Sequence, residues 1–515
     1  MEVDRLINSM FEKKQLEWLE KMLARQKRIQ IGDFMSTVWG GVATRMRDAQ
    51  AGSYNLVHVM EFDNGYHAVF RHPNKGSSMF PNEKTRNEVN VMRLVADRTT
   101  IPVACVKCAK LRGDPKEKGT ETLDTDDLRP FILMDHLRSD GDMGQALNTP
   151  GFNIEDRQVL DPEIEIDKLA KQYGLAAKCL LDLSRLEFDA IGSPEMIDDK
   201  WTVTRRPLTR QMNELVATGA CKRRDLPLTV FTSTKKYFVR LAQLHHDHLV
   251  HQQNNAISSE LDCMRKYVAR LLFRKMMDER APSGDVSDTG PFKLWCDDFR
   301  PTNILLSGDE IAGVIDWEFT YAAPPEFSFA PPWWLLLKRP EEWAAGWKDR
   351  AAGWMDWSKQ YEVRLVTFLA AMEKAEEVAI TSGRLTEEQR LSPKMRQSWE
   401  NGDFWVMYAL QTECAFDDVF WLYIFPRLCG PIESAEAAWE KAQSLLSEQE
   451  MQGMQSFVSD KMPVWEDEES DEDPVLDSRD TAGRLTSQFN VLELKSSTAP
   501  PEEHAQPIMM PMSAA

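Results

Sequence analysis

No stretch of the 515-residue chain approaches the ~18 uninterrupted apolar residues that a membrane-spanning helix needs, so nothing in it reads as crossing a bilayer. The chain also lacks a basic excess. Its 62 Lys and Arg against 82 Asp and Glu leave a formal net charge of −20, which argues against general nucleic-acid binding and against docking on anionic membranes, since both need a basic face. Cysteine is sparse: eight residues, mostly far apart, read as reduced core thiols, and the close pair Cys105 and Cys108 has no second pair to complete a tetrahedral zinc site. The first thirty residues lack a continuous apolar core, and Glu2, Asp4 and Glu12 are wrong for an import presequence, so a cytoplasmic location is expected. There is no internal repeat and no G-x-G-x-x-G.

Composition suits a soluble globular protein large enough for two or three domains. Residues 1–29 place Leu6, Met10, Leu16, Leu19 and Leu23 among charges at helical spacing, an amphipathic helix expected to dock on the body. From 52 to 73 apolar and polar residues alternate on both sides of Asp63, Asn64 and Gly65, which predicts a β-hairpin. A helix is expected after Pro81, with Asn82 as N-cap and Glu88, Val89, Met92 and Val95 on its inner side. Residues 101–103 and 130–134 read as further strands, with a charged surface loop over 110–127 between them. From about Ile164 the pattern is helical to about Glu450, interrupted only by one hairpin and proline-rich connections, and ten of the sixteen tryptophans fall between Trp333 and Trp439. Residues 466–473 are nearly all acidic and the last twenty are rich in Pro, Ala, Ser and Met; such a segment buries too little apolar surface to offset ordering and is expected to be a disordered tail. The predicted divisions are an N-terminal helix over 1–35, a small β-rich lobe over 36–135, a large helical lobe over 136–455 and the tail over 456–515.

The interrupting hairpin carries the chemistry. Residues 303–316 read as two strands about a polar, glycine-containing turn; centring the turn on Asp309 and Glu310 sets Leu305 opposite Val314 and Asn303 opposite Asp316. Asp298 lies five residues before Asn303. Two acids and an amide then converge at one hairpin end. Mg²⁺ takes one or two hard side-chain oxygens plus substrate phosphates, while a separate carboxylate can accept a hydroxyl proton, so this is a metal and phosphate site in outline.

The run Trp295-Cys296-Asp297-Asp298-Phe299-Arg300-Pro301-Thr302-Asn303 resembles the catalytic loop of the aminoglycoside phosphotransferase and choline kinase-like family, and Val314-Ile315-Asp316-Trp317-Glu318 resembles its metal-binding strand end. The resemblance extends from about 50 to about 440 and includes phrases of the fungal-type members at 206–209, 324–337 and 399–405. It implies an α+β, bilobal protein kinase-like fold with ATP and Mg²⁺ as cofactors, Asp298 as the base or substrate-orienting carboxylate, and Asn303 and Asp316 as metal ligands. It further implies that Gly52, Ser53 and Asn55 belong to a phosphate-covering turn, that Arg71 stands in the place of the nucleotide-binding lysine with Glu88 as its helix partner, and that Met134 and His136 flank the hinge holding the adenine edge. Two departures stand out: Arg71 itself, and Cys296 where the family usually has a loop-bracing histidine.

The implied activity is transfer of the γ-phosphate of ATP to a hydroxyl, or alternatively an amine, of a small-molecule acceptor bound among residues 320–440, where acidic side chains would suit a cation. A catalytically silent kinase-like binding protein is the alternative. A protein kinase is disfavoured, because Asp316 is followed by Trp-Glu and no Ala-Pro-Glu segment is evident. Asp297 and Glu318 are expected to form salt bridges. His245, His248 and His251 recur at a spacing that puts them on one helix face, read as solvated or hydrogen-bonded rather than zinc-binding. The tryptophan-rich region reads as helix core rather than a cation box.

Overall fold

The computed structural model describes residues 3–116, 126–152, 158–280 and 287–466. The expected tail beyond 466 and the centre of the expected 110–127 loop lie outside the described residues.

Strand alternation builds the small lobe. Strands β1 (Ala43–Met46), β2 (Gln50–Ala51), β3 (Asn55–Phe62), β4 (His67–Pro73), β5 (Val106–Lys110) and β6 (Phe131–Asp135) form an antiparallel sheet of order β1-β3-β4-β6-β5, with β2 also paired to β3. Odd and even residues point to opposite faces. Leu56, Met60, Phe62, Ala68, Phe70, Phe131 and Leu133 therefore share one face and form a core with Leu19, Met22, Phe34 and Met35 of two N-terminal helices, α1 (Val3–Leu23) and α2 (Arg25–Trp39). Val57, Val59, Val69, Arg71, Ile132 and Met134 share the other face, which looks toward helix α3 (Pro81–Arg98) and the large lobe. Alternation thus assigns Arg71 to the inner face.

The predicted β3–β4 hairpin is present, with Gly65 at φ +79° in its turn. Other local expectations need correction. Pro81 takes the first position of α3, where its missing N–H costs nothing, and Asn82 instead accepts the Arg112 N–H at 3.1 Å. Residues 101–103 are irregular; β5 begins at Val106 because Pro102 cannot donate to a ladder, although its carbonyl accepts the Val314 N–H at 2.9 Å.

The large lobe holds the helices β-rich sequence does not interrupt for long: α4 (Met143–Leu147), α5 (Ile166–Ser184), α6 (Arg210–Ala217), α7 (Thr234–His251), α8 (Glu260–Glu279) and the 32-residue helix Arg350–Thr381. The expectation of a single interrupting hairpin is too simple. After β7 (Gly141–Asp142) come β8 (Glu187–Phe188), β9 (Ser193–Ile197), β10 (Lys200–Arg205), β11 (Phe292–Cys296), β12 (Ile304–Ser307), β13 (Glu310–Val314) and β14 (Thr320–Ala323), in three small sheets. Most span two to six residues, too short to show alternation. Trp334, Trp354, Trp357 and Trp405 are buried in helix core, as expected. His245 is buried, with Nε2 bonded to the Ala409 carbonyl at 2.8 Å and its ring stacked on Phe416, so the histidine face is hydrogen-bonded packing. The observed architecture is the bilobal α+β arrangement. The helix Glu448–Glu466 runs past the expected boundary at 456. No helix among the described residues is long and apolar enough to cross a membrane.

Helix α1 differs most from its expectation. Leu6 and Met10 are exposed, and the N-terminal end is held instead by buried Asp4, which accepts the N–H groups of Gln253 (3.0 Å) and Asn255 (2.9 Å) on the large lobe. The other end packs on the small lobe through Leu19 and Met22. Between them α1 passes so close to Gly76 (φ +111°) that a Cβ there would stand 2.7 Å from the Phe11 carbonyl oxygen. Only glycine fits that crossing.

Candidate active site

A cleft of about 970 Å³ separates the lobes, lined on the small-lobe side by β2–β4, α3 and the start of the hinge, and on the large-lobe side by Asp298, Arg300 and Asp316. The 303–316 hairpin points its open end at this cleft. Its register places Ile304 opposite Val314 and Leu305 opposite Gly313, one residue from the expected pairing, because an irregularity between Leu305 and Leu306 and Gly308 at φ +55° draw the turn back by about a residue. Asn303 consequently meets Ile315, whose N–H bonds the Asn303 carbonyl at 3.0 Å. Asp316 follows at φ +63°, a left-handed conformation that swings its carboxylate out of the strand direction.

The predicted residues come together. Asn303 Nδ2 donates to the Asp298 carbonyl (2.9 Å) and to Asp298 Oδ2 (3.2 Å), which leaves Asn303 Oδ1 as the free hard oxygen. Asp298 Oδ1 pairs with Arg300 Nε at 3.2 Å. From across the cleft Arg71 bonds the Asp316 carboxylate directly, and also reaches Glu88 (3.3 Å) and Glu318 (3.4 Å). Burial opposes the charge of Arg71, but Asp316, Glu88 and Glu318 together hold its pKa above the ordinary value. Burial likewise opposes ionisation of Asp316, yet Arg71 keeps its carboxyl below the usual range. Burial prevails at Glu88, whose carboxyl is pushed up to about 7 despite Arg71 and Lys84.

Sequence reasoning missed Lys84. Its side chain is 1 % exposed, it pairs directly with Glu318, and its ammonium donates to Asn55 Oδ1 at 2.6 Å, while Asn55 Nδ2 donates to Glu318 at 2.9 Å. Two cations and three carboxylates therefore share the cleft floor, with Glu88 only partly ionised near neutral pH. The signal was available: residues 84, 88, 92 and 95 share one face of α3. Glu318 forms the salt bridge expected of it. Asp297 forms none among the described residues, and instead accepts the backbone N–H of Arg210 at the start of α6 at 3.1 Å. Cys296 is buried opposite Thr320, and burial pushes its thiol up, so it braces by packing.

Residues 52–55 and 134–136 all line the cleft. The Gly52 N–H is engaged by the Asn55 carbonyl at 2.8 Å and the Asn55 amide is spent on Lys84 and Glu318, while Ser53 and Tyr54 line the cleft beside them. The His136 N–H bonds the His67 carbonyl at 3.2 Å. Met134, Val59, Val69, Met92, Leu305 and Ile315 make an apolar slot beside it. Asn8, Phe11, Glu12 and Gln15 of α1 complete one wall, a contribution with no sequence signal beyond helical spacing.

Residues 154–360 match the model of the Phosphotransferase enzyme family. The match links the segment bearing Asp298, Asn303 and Asp316 to phosphotransferases at the family level, over less than half of the chain. Among solved structures, a macrolide 2'-phosphotransferase type I is 12% identical (82% of this chain, 98% of that one, TM-score 0.37). An aminoglycoside phosphotransferase in ternary complex with AMP-PNP and hygromycin B is 11% identical (78% and 100%, TM-score 0.39). A macrolide 2'-phosphotransferase from Brachybacterium faecium is 12% identical (78% and 98%, TM-score 0.35). No curated protein sequence matches.

Proposed function

We propose that the protein is an ATP- and Mg²⁺-dependent phosphotransferase that moves the γ-phosphoryl group to a hydroxyl of a small molecule. The observation that carries this reading is the meeting of Asp298, Asn303 and Asp316 at one hairpin end, opposite Arg71 across a cleft of about 970 Å³. Asn303 Oδ1 and the Asp316 carboxylate are the hard oxygens that would hold Mg²⁺, which when bound supplies charge neutralisation for the phosphates. Arg71, steadied by Glu88, turns its guanidinium toward the phosphate side. The Ser53 and Tyr54 N–H groups cover the phosphates from above, and the apolar slot at Met134 takes the base. Asp298, oriented by Asn303 and Arg300, aligns the acceptor hydroxyl for in-line attack and receives its proton.

The direct Arg71–Asp316 pair supports a second reading, a silent binding protein, because Arg71 occupies one oxygen of the carboxylate that would hold the metal. Turnover discriminates. With Mg-ATP and a fractionated metabolite extract, ADP release above the ATPase background that Asp298→Asn abolishes supports the transferase; nucleotide binding without any such fraction supports the silent form.

A further inference from the structure

A second cavity opens beside the catalytic loop, in the large lobe. It has a volume of about 70 Å³ and walls of Trp295, Trp333, Leu391, Met395, Phe404 and Met407. A dry cavity of about 150 Å³ admits a benzene ring, so this one takes a short branched alkyl group. Its charged lining is confined to Arg210, Asp297 and Arg339. Arg210 and Arg339 also line the main cleft, so they stand where the two spaces meet, beside Asp297, the residue that precedes Asp298.

The polar groups at this junction are mostly donors in want of acceptors. Arg339 stacks 4.0 Å from the Trp333 ring centroid, and among the described residues its hydrogen-bond partner is the Tyr408 hydroxyl, at 3.5 Å. The Trp333 face, expected as core or as a box for an amine, is thus covered by the protein's own cation. Arg210 Nη1 is neutralised by Glu214 at 2.9 Å, but its Nε is buried with no hydrogen-bond partner, as is Trp295 Nε1. Asp297 is turned to the Arg210 backbone. Glu413, on the cleft side, is a proton carrier near neutrality rather than an anion. Buried donors without a partner are few in native proteins, and a bound acceptor group would account for these.

We propose that Arg339 and Arg210 bind a carboxylate borne by the phosphate acceptor, with the side cavity receiving a short apolar branch of the same molecule. The acceptor is then a small hydroxy acid, not the cationic compound that acidic composition alone suggested. With Arg210 already matched by Glu214, the Arg339 charge and the unpartnered Arg210 Nε and Trp295 Nε1 donors suit a monoanion; a phosphate dianion would face Asp297 and Asp298 with too little positive charge. The assignment of the acid as acceptor rests on the phosphotransferase reading, but its recognition is testable without nucleotide.

The test is titration calorimetry of the full-length protein with 3-hydroxy-3-methylbutanoate, its amide, and 4-amino-2-methylbutan-2-ol, which share a branched hydroxyl end and differ in charge. The acid is expected to bind about tenfold or more tightly than either neutral or cationic twin. Arg339→Gln should erase that preference, and Arg339→Lys, which keeps charge but loses the planar stack, should retain part of it. Equal or tighter binding of the amide or amine, a preference that survives Arg339→Gln, absence of acid binding at about 10 mM, or tighter binding of inorganic phosphate than of the acid would each overturn the proposal. Failure of the phosphotransferase reading would show separately, as loss of the Mg-ATP response with acid binding intact.

Discussion

Arg71 on β4 and Asp316, two residues past β13, form a hydrogen-bonded ion pair that ties the two lobes together at the floor of the cleft. The Arg71 side chain is 7% exposed and serves three carboxylates. Replacing it with Met strands those acids around Lys84 alone, and a loss of about 3–5 kcal/mol is expected, in line with breaking buried pairs. Because Arg71 lowers the pKa of Asp316 and opposes the rise at Glu88, its removal lets both bind protons more readily in the folded state. The loss should therefore be larger at pH 8 than at pH 6, read by urea denaturation at the two values.

Lys84 and Glu318 should behave as one unit. Lys84→Met leaves the buried Glu318 carboxylate with Arg71 at 3.4 Å as its one cation beside the Asn55 amide, and is expected to cost about 3 kcal/mol. Combined with Glu318→Gln, the cost should fall well short of the sum of the single changes, a coupling that a double-mutant cycle measures.

Glu413 gives the fold a pH signature. Burial and the neighbouring Glu214 carboxylate push its carboxyl up to about 8, against the pull of Arg210. The folded state thus binds a proton that the unfolded chain has released by the usual Glu pKa near 4.5. That stabilisation is complete below about pH 4.5 and is lost as pH rises to about 8. Glu413→Gln should flatten the decline in melting temperature between pH 5 and pH 8, and an unchanged slope would remove Glu413 as its source.

Asp4 anchors α1 to the large lobe through the Gln253 and Asn255 N–H groups. Asp4→Ala should cost about 1–3 kcal/mol by leaving those donors unpaired. Hydrogen exchange should quicken across residues 3–15, of which Asn8, Phe11, Glu12 and Gln15 line the cleft, more than across α2.

What the sequence made legible follows from periodicity. The β3–β4 hairpin announced itself through alternation and Asp63-Asn64-Gly65, and the acid-amide-acid spacing at 298, 303 and 316 predicted that these three residues lie at one hairpin end. The register slipped by one because a bulge leaves no mark in the hydrophobic pattern. Lys84 escaped because a charge on a helix reads as solvent-facing unless its buried partner is known, and Glu318 lies 234 positions away in sequence. The Arg339–Trp333 stack had no periodic signal at all, since it joins a 3₁₀ turn to a helix cap.

The most direct test of the site is the thermal shift induced by Mg-ATP in wild type and in Asp316→Ala. A ligand at about 100 times its Kd stabilises by about 2.7 kcal/mol, enough to move the melting temperature by several degrees. Stabilisation of the wild type that requires Mg²⁺ and disappears in Asp316→Ala is the predicted result. An equal shift in both proteins would contradict the assignment of Asp316 to the metal.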